Sequence, residues 1–172
     1  MGATGESPVT SLVVMRRAAL VALAVLASCG EREAEFAGVG RWRFTHTTLA
    51  DAVGGHCDPT DLSDGRKGTW CSLMPPYKLG KHAAEVDLYF LGTDKTAPLI
   101  EIQLNIRGCD ENEIDRWMRT NFGAPIEQKG TRAYWKNSYL WAAGLLPNEP
   151  GRCRLHFLPL TENAEIARIK AL

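Results

Sequence analysis

Between residues 100 and 107 the chain alternates without a break: Ile100, Ile102, Leu104 and Ile106 are interleaved with Glu101, Gln103, Asn105 and Arg107. Successive side chains of a strand point to opposite faces, so a period of two predicts a strand with one apolar and one polar face. That is the signature of an antiparallel sheet with one face in water. Glu85 to Phe90 alternates in the same way, and Gly92-Thr93-Asp94 begins the turn between the two segments.

The segments around this pair complete the plan. Asp110 and Glu113 have capping-box spacing. Ile114, Trp117, Met118 and Phe122 then share one helical face, and Gly123 and Pro125 end the helix. Three further strands are expected at 133–136, 139–145 and 153–158, the last two separated by residues 147–151. A closing helix begins near Thr161 and carries Ile166, Ile169 and Leu172 on one side. Nearer the start, Thr47 or Thr48 caps a short helix that stops at Gly54-Gly55. Residues 56–69 read as a turn-rich loop, and Trp70 to Leu73 as a short strand ahead of Pro75-Pro76. The order predicts an α+β domain, an antiparallel sheet with helices packed on one face. Its two halves share a faint similarity of element order.

The amino-terminal region has a different character. Arg16 and Arg17 precede about ten apolar residues, Ala18 to Ala27, a run too short to cross a bilayer as a helix, which needs about 20. A basic cluster before a short apolar run is the pattern of a secretory signal. The run ends in Leu26-Ala27-Ser28-Cys29. This resembles the lipobox of bacterial lipoproteins: an aliphatic residue, two small residues that fit a tight cleavage site, and a cysteine. The resemblance implies cleavage before Cys29 and lipid on its thiol, hence partnership with a membrane. Residues 1–28 are then the signal, 29–40 a charged tether and 41–172 one domain. Residues 1–14 contain Glu6 and Pro8 and do not look like part of a signal, which places the expected initiator at Met15. Gly30 stands where an aspartate marks inner-membrane retention in some lipoproteins, which favours the outer membrane.

Four more cysteines follow: Cys57, Cys71, Cys109 and Cys153. An even number in an exported chain argues for two disulfides. Three pairings exist, and the favoured one joins Cys57 to Cys71 and Cys109 to Cys153. A metal site at His56-Cys57 and Cys71 lacks ligand spacing, so neither metal nor cofactor is expected. The whole chain has 20 basic and 20 acidic residues. Removing Glu6, Arg16 and Arg17 with the signal leaves 18 against 19, a balance that gives no reason to expect nucleic acid. A remainder of roughly 140 residues buries about two-thirds of its unfolded surface and needs no metal to form a core.

No catalytic motif stands out. Ser72 and Ser138 lack a nucleophile-elbow pattern. His156 should share the polar sheet face with Arg152 and Arg154, and with Asp87 and Glu101 if their strands are neighbours. Tyr134, Trp135, Tyr139 and Trp141 flank a turn at Asn137-Ser138, and some of them should face outward as a contact patch. Met74-Pro75-Pro76-Tyr77 reads as a rigid loop. The leading expectation is a lipid-anchored envelope protein that binds another envelope protein or polymer without catalysis. It would use the aromatic turn or the polar face around Arg154 and His156. The alternatives are a surface-presented enzyme inhibitor using residues 57–71, and a small hydrolase using His156.

Overall fold

The computed structural model describes residues 37–149 and 151–172. The expected signal, Cys29 and most of the expected tether lie outside them. Within them, a small hairpin of β1 (Gly38–Val39) and β2 (Trp42–Arg43) leads to a single 3-10 turn, Leu49–Asp51. Four strands follow: β3 (His56–Asp61), β4 (Lys67–Leu79), β5 (His82–Leu91) and β6 (Leu99–Arg107). After helix α1 (Glu111–Phe122) come β7 (Glu127–Lys129), β8 (Arg132–Lys136), β9 (Leu140–Glu149) and β10 (Arg152–Pro159), then helix α2 (Asn163–Ala171). The eight long-range strands form one antiparallel sheet in the order β3-β4-β5-β6-β10-β9-β8-β7. It consists of two four-stranded meanders joined where β6 pairs with β10.

The alternating segments do what their period requires. Leu88, Ile102, Leu104, Leu155 and Phe157 all point to one face and are fully buried. Each such side chain contributes roughly 1.5–3 kcal/mol by leaving water. Helix α1 covers this face. Ile114 and Met118 reach the core, and Trp117 sets its ring edge against Phe157 at 6.4 Å. Asp110 caps the helix by accepting from the Asn112 and Glu113 amides. The capping box is only half closed, because Glu113 Oε1 instead accepts the Lys81 amide. Gly123, at φ 79°, ends the helix as expected.

Val39, Trp42 and Ala52 join the same core, so residues 37–40, expected as the end of the tether, are part of the fold. Gly40 sits at φ 57°, and a Cβ there would lie 2.7 Å from the Tyr77 ring. Only glycine suits both conditions.

Helix α2 lies on the other face. Its Ile169 packs with Tyr134, Trp141, Ala143 and Leu158, residues that alternate with the core-facing Trp135, Ala142 and Phe157. The helices therefore cover opposite faces of the sheet rather than one.

Three local expectations also change. Residues 56–69 are a hairpin, not a loop, with Cys57 directly opposite Cys71. β3 is an edge strand exposed at nearly every position, so it carries no apolar alternation to read. β4 runs on through Pro75 and Pro76 because its register shifts between Met74 and Tyr77, and a bulge leaves the missing N–H groups without a ladder duty. β9 likewise continues past Pro147 to Glu149. The polar three-residue β7 had no sequence signal at all. Both favoured disulfides are present. Cys57–Cys71 has a Cα–Cα distance of 4.0 Å, and Cys109–Cys153, at 5.8 Å, ties the entry of α1 to β10.

Candidate binding face

The polar face runs across β5, β6 and β10, and α2 covers only part of it. Strand pairing aligns Glu85 with Asn105, Asn105 with Arg154, Asp87 with Gln103, and Gln103 with His156. Away from α2, Glu85, Asp87, Gln103, Asn105 and Arg154 line an open groove with Arg107 and Arg152. Asn105 is its centre. Its Oδ1 accepts from Gln103 Nε2 at 3.1 Å and from Arg154 Nε at 3.0 Å, and its Nδ2 donates to Asp87 Oδ2 at 2.9 Å. Glu85 and Arg107 pair at 3.0 Å across the rim. Burial pushes the Asp87 carboxyl above its ordinary range, and the Glu85 charge adds to this, against the pull of Asn105 and Arg154. The groove thus holds both signs of charge in fixed positions.

Under α2 the same face changes character. Glu101 is 1% exposed and His156 1%. His156 Nδ1 lies 2.7 Å from Glu101 Oε1, and Arg168 Nη2 donates to Glu101 Oε2 at 2.9 Å. Arg168 Nε holds Glu165 at 2.6 Å, while the Ser63 amide and hydroxyl both donate to Glu165 Oε1. Arg66 pairs with Glu162 and Asp64. Burial alone would raise the Glu165 carboxyl, but the Ser63 donors and Arg168 outweigh it and hold it below its ordinary value. Burial beside Glu101 and Asp87 raises Tyr89 to about 12. Two buried polar atoms of this region, Trp141 Nε1 and His156 Nε2, have no hydrogen-bond partner. Such an atom costs about 1–3 kcal/mol each.

The residues singled out in the sequence divide on this geometry. Arg154 sits in the open groove. His156 shares its face, but beneath α2 rather than in water. No nucleophile bonds its Nε2, so the hydrolase constellation of nucleophile, base and orienting acid is not assembled. The aromatic turn offers no outward patch of rings. Trp135 is fully buried and donates to the Gly123 carbonyl. Tyr134 and Trp141 stack at 5.5 Å beneath α2, and only Tyr139 is exposed. The 57–71 segment does not protrude as a loop, because its tip at Ser63 and Arg66 is strapped to Glu165 and Glu162. Sequence reasoning missed those four residues. Each looks like an ordinary surface group, and only the pairing of distant charges distinguishes them.

Among the described residues no group of three His, Cys, Asp or Glu side chains is placed to hold a metal ion, and no helix is long and apolar enough to cross a membrane. Comparison of the chain with protein-family models, with curated proteins and with solved structures finds no match.

Proposed function

We propose that the chain is an exported lipoprotein, held at a bacterial outer membrane through Cys29, that binds an envelope protein or polymer without catalysis. The observation that carries the binding part is the pre-arranged groove at Asp87, Gln103, Asn105 and Arg154. Its charged and amide groups are fixed by one another on three rigid strands, and preorganised groups lose little freedom when a ligand arrives. The lipid part rests on Leu26-Ala27-Ser28-Cys29, and the two disulfides suit a chain folded outside the reducing cytosol.

Two experiments test the two parts. Cys29→Ser should abolish lipid labelling and release the chain from membranes; a variant that stays labelled overturns the anchor. A photo-crosslinking residue at Arg107 should give a discrete adduct in cells that disappears with Asn105→Ala plus Arg154→Ala. The same residue at Lys129, on the far sheet edge, should give none. Equal adducts at both positions would sink the groove as the binding face.

A further inference from the structure

We infer that α2 is a displaceable lid, and that beneath it the polar face continues as a site for a neutral, hydroxylated sugar chain. This deepens the reading of the groove as a binding face and rests on it.

The first ground is how α2 is held. It brings few apolar side chains to the sheet, chiefly Ile169 with Ile166 beside it. The rest of its grip is charged. Arg168 bridges Glu101 and Glu165, Glu165 takes both donors of Ser63, and Glu162, just ahead of the helix, takes Arg66. No side chain caps its amino end. The carboxylates of these pairs lie almost out of water, and opening the helix gives back the desolvation that forming them costs, so they hold α2 less firmly than apolar burial of the same extent would.

The second ground is what α2 covers. The unpartnered Trp141 Nε1 donor and His156 Nε2 both lie there, on side chains more than nine-tenths buried. A well-made core satisfies such atoms. Beside them is the Tyr134–Trp141 stack, and the Lys170 ammonium sits over both rings at 5.6 and 5.9 Å. With Lys170 withdrawn, the stack presents a flat apolar platform next to an indole donor and an imidazole nitrogen. A sugar ring matches that set: its C–H face packs on the aromatic surface and its hydroxyls pair with the two orphaned atoms. His156 is aligned with Gln103, which bonds Asn105, so the covered site is continuous with the groove and a chain molecule can occupy both.

The probe is a hexamer of β-1,4-linked N-acetylglucosamine, applied to the purified full chain. If α2 opens rarely, the apparent affinity is the intrinsic affinity reduced by the open fraction. Lys170→Ala leaves the ion pairs alone and removes only the ammonium over the rings, so α2 loses one of its contacts and opens more readily; it should tighten binding several-fold. Arg168→Ala should tighten it further and speed amide exchange across 163–171 at least tenfold relative to the core strands. Ser63→Cys plus Glu165→Cys joined by a short bis-maleimide crosslinker, which spans the reach of the lost carboxylate side chain, should close the lid and abolish binding of the hexamer. The lid is overturned if the locked variant binds the sugar as well as the native chain. It is also overturned if α2 amides exchange only with global unfolding, or if neither single variant gains affinity. The Arg107 crosslink keeps the two readings apart. An adduct that survives in the locked variant while sugar binding is unaffected by α2 leaves the groove standing and removes the lid. Loss of specificity of that adduct removes the groove reading itself.

Discussion

Glu101 is the residue on which most of the covered face depends. Its two oxygens serve His156 and Arg168, and it is almost wholly out of water. A buried pair is weak evidence for stability, but breaking it by removing one partner is costly. Glu101→Ala should therefore lower unfolding stability by about 3–5 kcal/mol in urea, and Glu101→Gln by clearly less because an amide still accepts from Arg168. Equal stability of the alanine variant and the native chain would show that the pair is not held as described. Leu73 predicts the opposite sign. It has φ 56° and an exposed side chain, so it pays for a left-handed backbone without a packing return. Leu73→Gly should stabilise the chain by about 1 kcal/mol, read from the urea midpoint. The alternation of residues 100–107 placed Glu101 on the polar face correctly. It could not show that the face is covered there, since a helix with mixed charges such as Glu165 and Arg168 reads as a solvated surface until its partners across the chain are known.

At the scale of elements, legibility followed burial. The half-buried strands β5, β6 and β10 and the amphipathic α1 declare themselves through their periods, and their ends moved by only a few residues. The β3–β4 hairpin did not, because an edge strand with Pro59 and exposed charges carries the devices that discourage further pairing, and these resemble loop composition. Its disulfide is nevertheless the one favoured among the three pairings that the cysteine count leaves open. The two bridges should differ in worth. Cys57–Cys71 closes 14 residues and Cys109–Cys153 closes 44. In the chain-entropy account, replacing the first pair by serine costs about 3 kcal/mol and replacing the second about 1 kcal/mol more. Thermal unfolding of the two double variants checks the order; a larger loss from the Cys57–Cys71 pair would mean that native packing around Cys71, rather than loop closure, sets the cost.

Across the whole molecule, each meander is followed by a helix, which invites the idea of a duplicated unit. A two-fold axis through the β6–β10 junction, perpendicular to the sheet, would exchange the meanders and keep each face in place. It would leave both helices on one side, whereas α1 and α2 lie on opposite sides, so the halves are not related in that way. The asymmetry gives the sheet one face closed by a continuous apolar core and one divided between the open groove and the charged contacts of α2. The divided face should respond to acid in two directions. Glu165 titrates below its ordinary 4.5 in the folded chain. Its contribution is fully present above the unfolded value and is lost as pH falls through the folded one. Asp87 titrates above its ordinary 3.8 because it is desolvated. The folded state binds that proton more readily, so acidification relieves rather than weakens its surroundings. Lowering the pH from neutral to below 4 should therefore release α2 before it disturbs the groove. Amide exchange should rise first at residues 163–171, while β5 and β6 around Asp87 and Asn105 stay protected. Glu165→Gln should flatten the response of α2, because the variant has no carboxylate to protonate and its single amide oxygen can accept from Ser63 or from Arg168 but not from both. Simultaneous loss of protection in both regions would show that the two halves of the face melt as one unit.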